Sequence, residues 1–290
     1  YEKFEISTVD MYTNVEISDK SIKLGTSKGA MANLLDMEIR GAYNAAKWNI
    51  GRSLFGDGSG KLGSFTTALT EATSIALDTV ENVIVGLSID VYNVNSSTIT
   101  KVNTSSIRIT DIDRANKTIT IETAVTTTHA GFITVQNSYN NELTGLGAIF
   151  NASVTSLYGV TKATNLWIRP QTLDANNDIS DLVLYQAVSD AYKHAGSNID
   201  LIMMSDNAFL AYQNYMKETN TKIVEGSVFE GGAVGYKVVV GSKRIDVVNE
   251  SHVPTGKAWC VDTTSFKFES TELGFASEEG GNAFLLVDGT

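Results

Sequence analysis

The sequence predicts an α+β chain. It begins with one long helix, continues with a run of short strands and ends in mixed helices and strands. Three observations carry this expectation. Between residues 27 and 55 apolar residues return every three or four positions, the period of one helical face. Between 80 and 135 the period falls to two, with turn clusters between the apolar pairs. From 178 to 250 both patterns occur together. A length of 290 residues suffices for one large domain or two modest ones.

Residues 1 to 26 are polar and alternate weakly through Val15, Ile17, Ile22 and Leu24, with Ser18 to Ser21 as a turn. They read as an extended hairpin with little core of its own, marginal unless a partner surface covers it. Ser27 is the expected N-cap of the long helix. Its apolar face is Met31, Leu35, Ile39, Ala42, Ala46, Ile50 and Leu54. Gly41 and Gly51 weaken it by about 1 kcal/mol each, and the glycines from Gly56 to Gly60 stop it. Such a helix would be roughly 40 Å long, unusual in an ordinary domain and fitting a helix that spans a plate or bundle.

Residues 64 to 78 predict a shorter helix through Ala68, Leu69, Ala72 and Ile75. Strand alternation follows at Val83 to Val91, Ile107 with Ile109, Ile119 with Ile121, and Ile133 with Val135. Residues 80 to 135 therefore read as a small all-β module inserted into a host domain. A short apolar helix or turn is expected at Leu143 to Phe150, then loops over 151 to 177. Asp178 to Ala195 predicts a helix stopped by Gly196. Asp200 to Met204 predicts a buried strand, and Ser205 caps a helix to about Thr219. Further strands are expected at Gly235 to Val240, Arg244 to Val248, Lys257 to Val261, Ser265 to Phe268 and Ala283 to Val287.

Composition narrows the function classes. Hydrophobic residues make up 42% and charged ones 19%, a globular balance. Lys and Arg number 22 against 33 Asp and Glu, a formal charge of -11. Such a surface repels duplex DNA and argues against a sequence-reading DNA binder, while leaving room for a local basic patch. Cys260 is the single cysteine, so no intrachain disulfide and no cysteine metal cluster can form, and a reducing compartment is permitted. No apolar run approaches the roughly 18 residues of a membrane helix, and no signal peptide is expected. The first residue is Tyr1 and not Met, so we expect either preceding residues or a cleaved N-terminus. With Pro170 and Pro254 the only prolines beside 24 glycines, reversals must rely on Gly, Asn and Asp.

The motifs that could carry chemistry each fall short. Gly58-Ser59-Gly60-Lys61-Leu62-Gly63 has the dinucleotide spacing GxGxxG, but it follows a helix end instead of linking a strand to a helix start. The same stretch is one residue short of a phosphate loop, and Leu62 stands where a hydroxyl would hold magnesium. His129, His194 and His252 lack a metal-ligand spacing, and no serine lies in a GxSxG elbow. Cys260, between Trp259 and Val261, reads as a structural thiol.

Carboxylates fare no better. Asp174, Asn176 and Asp178 open like a calcium loop, but Ile179 and Tyr185 occupy the positions that need Gly and Glu. That leaves at most a loose surface cation site. Glu278-Glu279 and the Asp111/Asp113 pair read as solvated turns. We expect no catalytic, cofactor-binding or metal residues, and no enzyme.

The order of segments resembles the major capsid protein of tailed bacteriophages, the Hong Kong 97-type coat fold. Met37-Glu38-Ile39-Arg40-Gly41-Ala42, continuing from Trp48 through Phe55 to Gly56-Asp57-Gly58, resembles the family's long spine helix and its glycine exit. Glu142 to Phe150, Leu157-Tyr158-Gly159-Val160 and Trp167-Ile168-Arg169-Pro170 resemble its peripheral-domain segments. Asp200 to Ser205 with Ala211-Tyr212 resembles its axial-domain strand and helix. Val253 to Trp259 and Val261 to Phe266 resemble a late loop and strand.

The resemblance implies an organisation. Residues 1–26 would be an N-terminal arm or extension loop, and 27–79 the spine helix and start of the peripheral domain. The β-module, an addition only some members carry, would be 80–135. Residues 136–177 would be peripheral domain, 178–250 axial domain, and 251–290 a return to the peripheral domain. It also implies a coat protein that self-assembles into an icosahedral shell around a phage genome, through hexamers and pentamers of itself. Portal, scaffolding and decoration proteins would be further partners. It implies no membrane, no sequence-specific nucleic-acid contact, and a location in the virion after assembly in the host cytoplasm. Some relatives cross-link a loop lysine to an asparagine of another subunit, and Lys20 and Lys23 lie in the matching hairpin; as most loop lysines do, they read as solvated. The acidic balance suits a shell that must not grip packed DNA. An encapsulin-like compartment shell and, from the Thr/Asn-rich module, a surface adhesin or carbohydrate-binding protein are the alternatives.

Overall fold

In the computed structural model, residues 3–6, 9, 11, 28–219, 236–240 and 243–267 are described. Helix α1 spans Lys28–Phe55. Seven strands follow: β1 (Lys61–Phe65), β2 (Ala72–Ala76), β3 (Ser88–Asn95), β4 (Thr98–Lys101), β5 (Ile107–Asp113), β6 (Thr118–Val125) and β7 (Gly131–Val135). They form one antiparallel sheet in the order β1-β7-β3-β5-β6-β2, with β4 paired to β3.

Next come α2 (Leu146–Phe150) and the small hairpin β8 (Ser156–Leu157) and β9 (Val160–Thr161). Then α3 (Asp181–Ala195), β10 (Leu201–Met204), α4 (Asp206–Glu218), β11 (Tyr236–Val240), β12 (Lys243–Asn249) and β13 (Ala258–Val261) build a second sheet. Its order is β11-β12-β10-β13, antiparallel except where β10 runs parallel to β12.

The larger sheet makes its own core. Ile75, Ile89, Ile109, Ile119 and Ile133 have no exposed surface, and they cluster with Leu62, Phe65, Leu69 and Leu77. Asp90 of β3 is also fully buried. Its carboxylate accepts from Lys101 Nζ (2.8 Å), Asn103 Nδ2 (3.1 Å) and the Asn137 backbone N–H (2.8 Å). A buried carboxylate is tolerated only when its lone pairs are taken up in this way.

The smaller sheet carries α3 and α4. Leu184 and Val188 of α3 and Tyr212 and Met216 of α4, each pair four residues apart, are buried with Ile202, Met204, Ile245 and Val247. The Tyr212 hydroxyl donates to Asp181 at 2.6 Å and ties the two helices.

Two expectations are corrected. The helix expected at 64 to 78 is instead the pair β1 and β2, so the sheet begins at Lys61, before the module start read at residue 80. The physical reason is the available edge. β7 takes Lys61 to Phe65 and β6 takes Ala72 to Ala76. Pairing Ile75 with Ile119 then buries it fully, which a lone short helix could not do.

The Hong Kong 97-type coat fold, with a long spine helix laid along a peripheral domain, is also overturned. The described residues form a sheet-rich arrangement of mainly antiparallel strands, α+β at most. Helix α1 is no such spine. From Asp36 to Lys47 none of its residues is buried, and Met37 and Tyr43 are 70% and 69% exposed. Its C-terminal part joins the body: Trp48 packs against the larger sheet's core, and Phe55 stacks on Trp259 and His252.

Smaller differences follow from local chemistry. Ser205 occupies the N-cap position of α4, but its buried hydroxyl accepts from the Gly256 N–H (3.0 Å), not from the helix. Thr263–Ser265 is a 3-10 turn capped by Asp262, where a strand was expected to begin at Ser265. β13 pairs with β10, which places Ala258–Val261 in the sheet of the preceding region. The hairpin read over residues 1 to 26, the Ser27 cap and the strand at 283 to 287 lie outside the described residues, apart from positions 3–6, 9 and 11.

Candidate functional site at the helix–sheet junction

The densest cluster of charged and aromatic side chains lies where α1 ends. Spacings of four and three residues place Trp48, Arg52 and Phe55 in the helix's final turns. The chain leaves α1 for β1, and after β7 it returns with Glu142 and α2. Asp57 and Thr144 bridge the two crossings. Backbones approach closely here: a Cβ on Gly145 would stand 2.2 Å from the Leu54 carbonyl oxygen, so only glycine fits.

Arg52 and Glu142 are 5% and 7% exposed and pair through both guanidinium nitrogens, Nη1 to Oε2 at 3.0 Å and Nη2 to Oε1. This bidentate geometry is the strong form of the contact. Arg52 also sits in the last turn of α1, where a cation meets the helix's carbonyl end. Nearby, Lys162 is 2% exposed and has no carboxylate partner among the described residues. Its ammonium donates to the carbonyls of Ala148 (2.6 Å), Asn151 (3.0 Å) and Ile149 (3.2 Å). Burial lowers its pKa. All three N–H donors are nevertheless taken up by carbonyls, so the group closes the C-terminal end of α2 and presents no lone pair for attack.

Five rings line up beside these charges. His252 stacks on Phe55 (5.6 Å between centroids), Phe55 on Trp259 (5.9 Å), Trp259 on Phe150 (5.1 Å) and Phe150 on Phe266 (6.4 Å). The stack joins α1, α2 and the segment around β13. His252 Nδ1 lies 2.7 Å from Glu250 Oε1, and this contact holds the Glu250 carboxyl below its ordinary range.

A cleft of about 200 Å³ opens among Arg52, Asp57, Lys61, Glu142, Lys257 and Trp259. Its charges are largely spoken for. Arg52 and Glu142 hold each other, Asp57 accepts from the Ser59 N–H and hydroxyl (2.9 and 2.5 Å), and Lys61 lies 4.5 Å from the Phe132 ring. The junction is built to fix three segments together. It aligns no nucleophile with a base.

The residues singled out in the sequence do not converge. Gly58 to Gly63 runs from the helix end into β1, so no helix start faces a phosphate there. His129 lies between β6 and β7 with Nδ1 at 2.9 Å from Thr128 Oγ1. His194 lies in the last turn of α3, and His252 in the ring stack. Cys260 lies in β13, where burial pushes its thiol up to about 11 and leaves it unreactive at neutral pH.

Asp113 caps the turn after β5 through the N–H groups of Ala115 and Asn116, which lower its pKa together with the Asn116 amide. Asp111 accepts from the Ile112 N–H. Asp174 accepts from the Asn176 N–H in a local turn. Among the described residues no group of three or more His, Cys, Asp or Glu could hold a metal ion. Lys20, Lys23, Glu278 and Glu279 lie outside them.

Sequence reading missed Arg52 with Glu142, Lys162, and Asp90 with Lys101. Each joins residues far apart in the chain or buries a charge that composition assigns to the surface. Lys162, flanked by threonines and alanine, carries no local signal of burial.

Among the described residues no helix is long and apolar enough to cross a membrane. Compared with known proteins, the chain matches no family model, no curated protein and no solved structure.

Proposed function

We propose that this chain is a self-assembling structural subunit, a coat protein of an icosahedral shell that encloses a phage genome, and that it performs no chemistry on a substrate. Its partners would be copies of itself in hexamers and pentamers, with portal, scaffolding and decoration proteins as further contacts. Its place would be the virion. One observation supports the reading most. Large apolar side chains stand in water on separate elements: Met37 and Tyr43 on α1, Leu166 and Trp167 after β9, and Leu182, Tyr185 and Tyr192 along one side of α3. Exposed apolar residues grouped on an element mark contact surfaces more often than chance. Burial between copies would return roughly 25 cal/mol per Å² of apolar area.

The test is the assembly state. Chromatography with light scattering and negative-stain microscopy should show concentration-dependent oligomers, rings or shells. A monomer at every concentration and salt overturns the proposal. An encapsulin-like compartment shell shares this expectation; nuclease-protected nucleic acid inside purified particles favours the coat, and protein cargo the compartment. The glycan-binding alternative loses ground on one point. Among the described residues, the exposed aromatic side chains (Phe4, Tyr43, Trp167, Tyr185, Tyr192 and Phe266) all lie outside the β1–β7 sheet that motivated it.

A further inference from the structure

The β3–β4 hairpin leaves a strand edge open. Among the described residues β4 pairs only with β3, and every residue from Thr98 to Lys101 is exposed. The outer side of β1 is different. There Ser64 donates its N–H to Asp78 Oδ1 (2.7 Å) and its carbonyl accepts the Asp78 N–H (2.9 Å).

Alternation decides which backbone groups of β4 face outward. Val102 donates its N–H to the Val91 carbonyl at 2.9 Å, so Thr100 and Thr98 also turn their N–H and C=O toward β3. Ile99 and Lys101 turn theirs away. Edge strands are ordinarily blunted by charge, proline or a bulge. None of these guards Ile99. Thr98-Ile99-Thr100 is uncharged, β4 contains no proline, and its pairing with β3 runs without a register shift. The one charge in β4, Lys101, is drawn back onto the buried Asp90 carboxylate at 2.8 Å.

Only an extended strand satisfies such an edge, and a second β4 fits it by symmetry. A two-fold axis through Ile99 sets Ile99 opposite Ile99 and Thr98 opposite Thr100. The outward groups of the two Ile99 residues then exchange both hydrogen bonds, as an antiparallel pair does. Lys101 falls opposite Ser97, and the two Lys101 side chains stand at opposite ends, so like charges do not meet. An axis through Thr100 would instead bring the lysines together.

We propose that β4 pairs antiparallel with β4 of a second copy, in the register centred on Ile99. The same patch serves both partners, as a two-fold contact requires. This inference rests on the self-association reading and names one contact of it.

The experiment uses two full-length variants, Thr98→Cys and Thr100→Cys, one of them tagged so that products separate by size. They are mixed, oxidised and run on a non-reducing gel. Position 98 of one copy lies opposite position 100 of the other, where side chains come closest. The mixed disulfide should therefore exceed either homodisulfide at least tenfold. The unaltered chain, with Cys260 alone, sets the background. Both positions are exposed, and circular dichroism should show each variant folded.

A homodisulfide as abundant as the mixed product, or no disulfide above background, overturns the pairing. Sedimentation of the unaltered chain separates the two ideas. If it associates while the mixed disulfide is absent, β4 pairing fails and self-association stands. If it does not associate, both fail.

Discussion

The β1–β7 sheet and the α3–β13 region solve the same problem to different degrees. The sheet buries its isoleucines completely, and of its larger apolar side chains only Val85 and Ile99 are exposed. The α3–β13 region has a sound inner core, yet it leaves Leu182, Tyr185, Tyr192, Leu210 and Val239 outside, at 49% to 73% exposure. The difference teaches where a partner is needed. A sheet whose apolar face is closed by its own loops can be a finished unit. A helix-covered sheet with apolar residues on the outer helical faces is finished only when something covers them. Between them, the Arg52–Glu142 pair ties α1 to the segment after β7, and the ring stack beside it reaches β13 through Trp259.

The largest effect should come from breaking that junction. Arg52→Ala leaves Glu142 buried and unpaired, and should cost about 3–5 kcal/mol in urea unfolding. Retention of stability would mean that the pair is solvated and does not hold α1 to the segment after β7.

A matched pair of cavities sharpens the comparison further. Ile133→Ala and Ile245→Ala each empty a fully buried site and should each cost about 2–5 kcal/mol. If the two regions unfold independently, each variant shifts its own transition in calorimetry. A single transition shifted by both would make them one cooperative unit.

Gly196 closes α3 in the left-handed region, with φ of 67°. Open space surrounds it, so Gly196→Ala pays for backbone strain alone, about 1–2 kcal/mol, and should move only the second region's transition.

Acid should act smaller and later. His252 holds the Glu250 carboxyl below its ordinary 4.5, so the folded state binds that proton more weakly than the unfolded state. The contribution is complete above about pH 4.5 and fades as pH falls through the lower folded value. The stability gap between the parent chain and Glu250→Gln should therefore narrow between pH 7 and pH 3; a constant gap would show that the hydrogen bond is not coupled to ionisation.

The smallest effect on stability should be the most telling for function. Leu182→Ser, at a 73% exposed position, should change unfolding by less than about 0.5 kcal/mol while weakening self-association measured by sedimentation. Unchanged association would remove α3 from the contact surface.

Much of the second region was readable from residue order. The helix expected from Asp178 starts at Asp181 behind its cap Ser180 and ends at Gly196 as expected, and Ser205 stands at the start of α4. In the larger sheet, β5, β6 and β7 followed from the alternation of Ile107, Ile109, Ile119, Ile121 and Ile133, while β1 and β2 did not. The junction was not readable. Arg52 and Glu142 stand 90 residues apart, and no periodicity marks a charge destined for burial.

By itself the sequence determined what local chemistry can specify: where helices start and stop, which stretches alternate, how acidic the surface is, and that one cysteine cannot cross-link the chain. The tertiary structure alone decided the fate of residues 64 to 78, the stand-off of α1 and the charges sealed beneath it. Leu69, Ala72 and Ile75 fit a helical face, while Ile75 and Leu77 fit an alternating strand. The choice fell to β6 and β7, distant strands whose unpaired edges those residues could complete. Hydrogen bonds between segments remote in sequence leave no trace in either segment's own pattern.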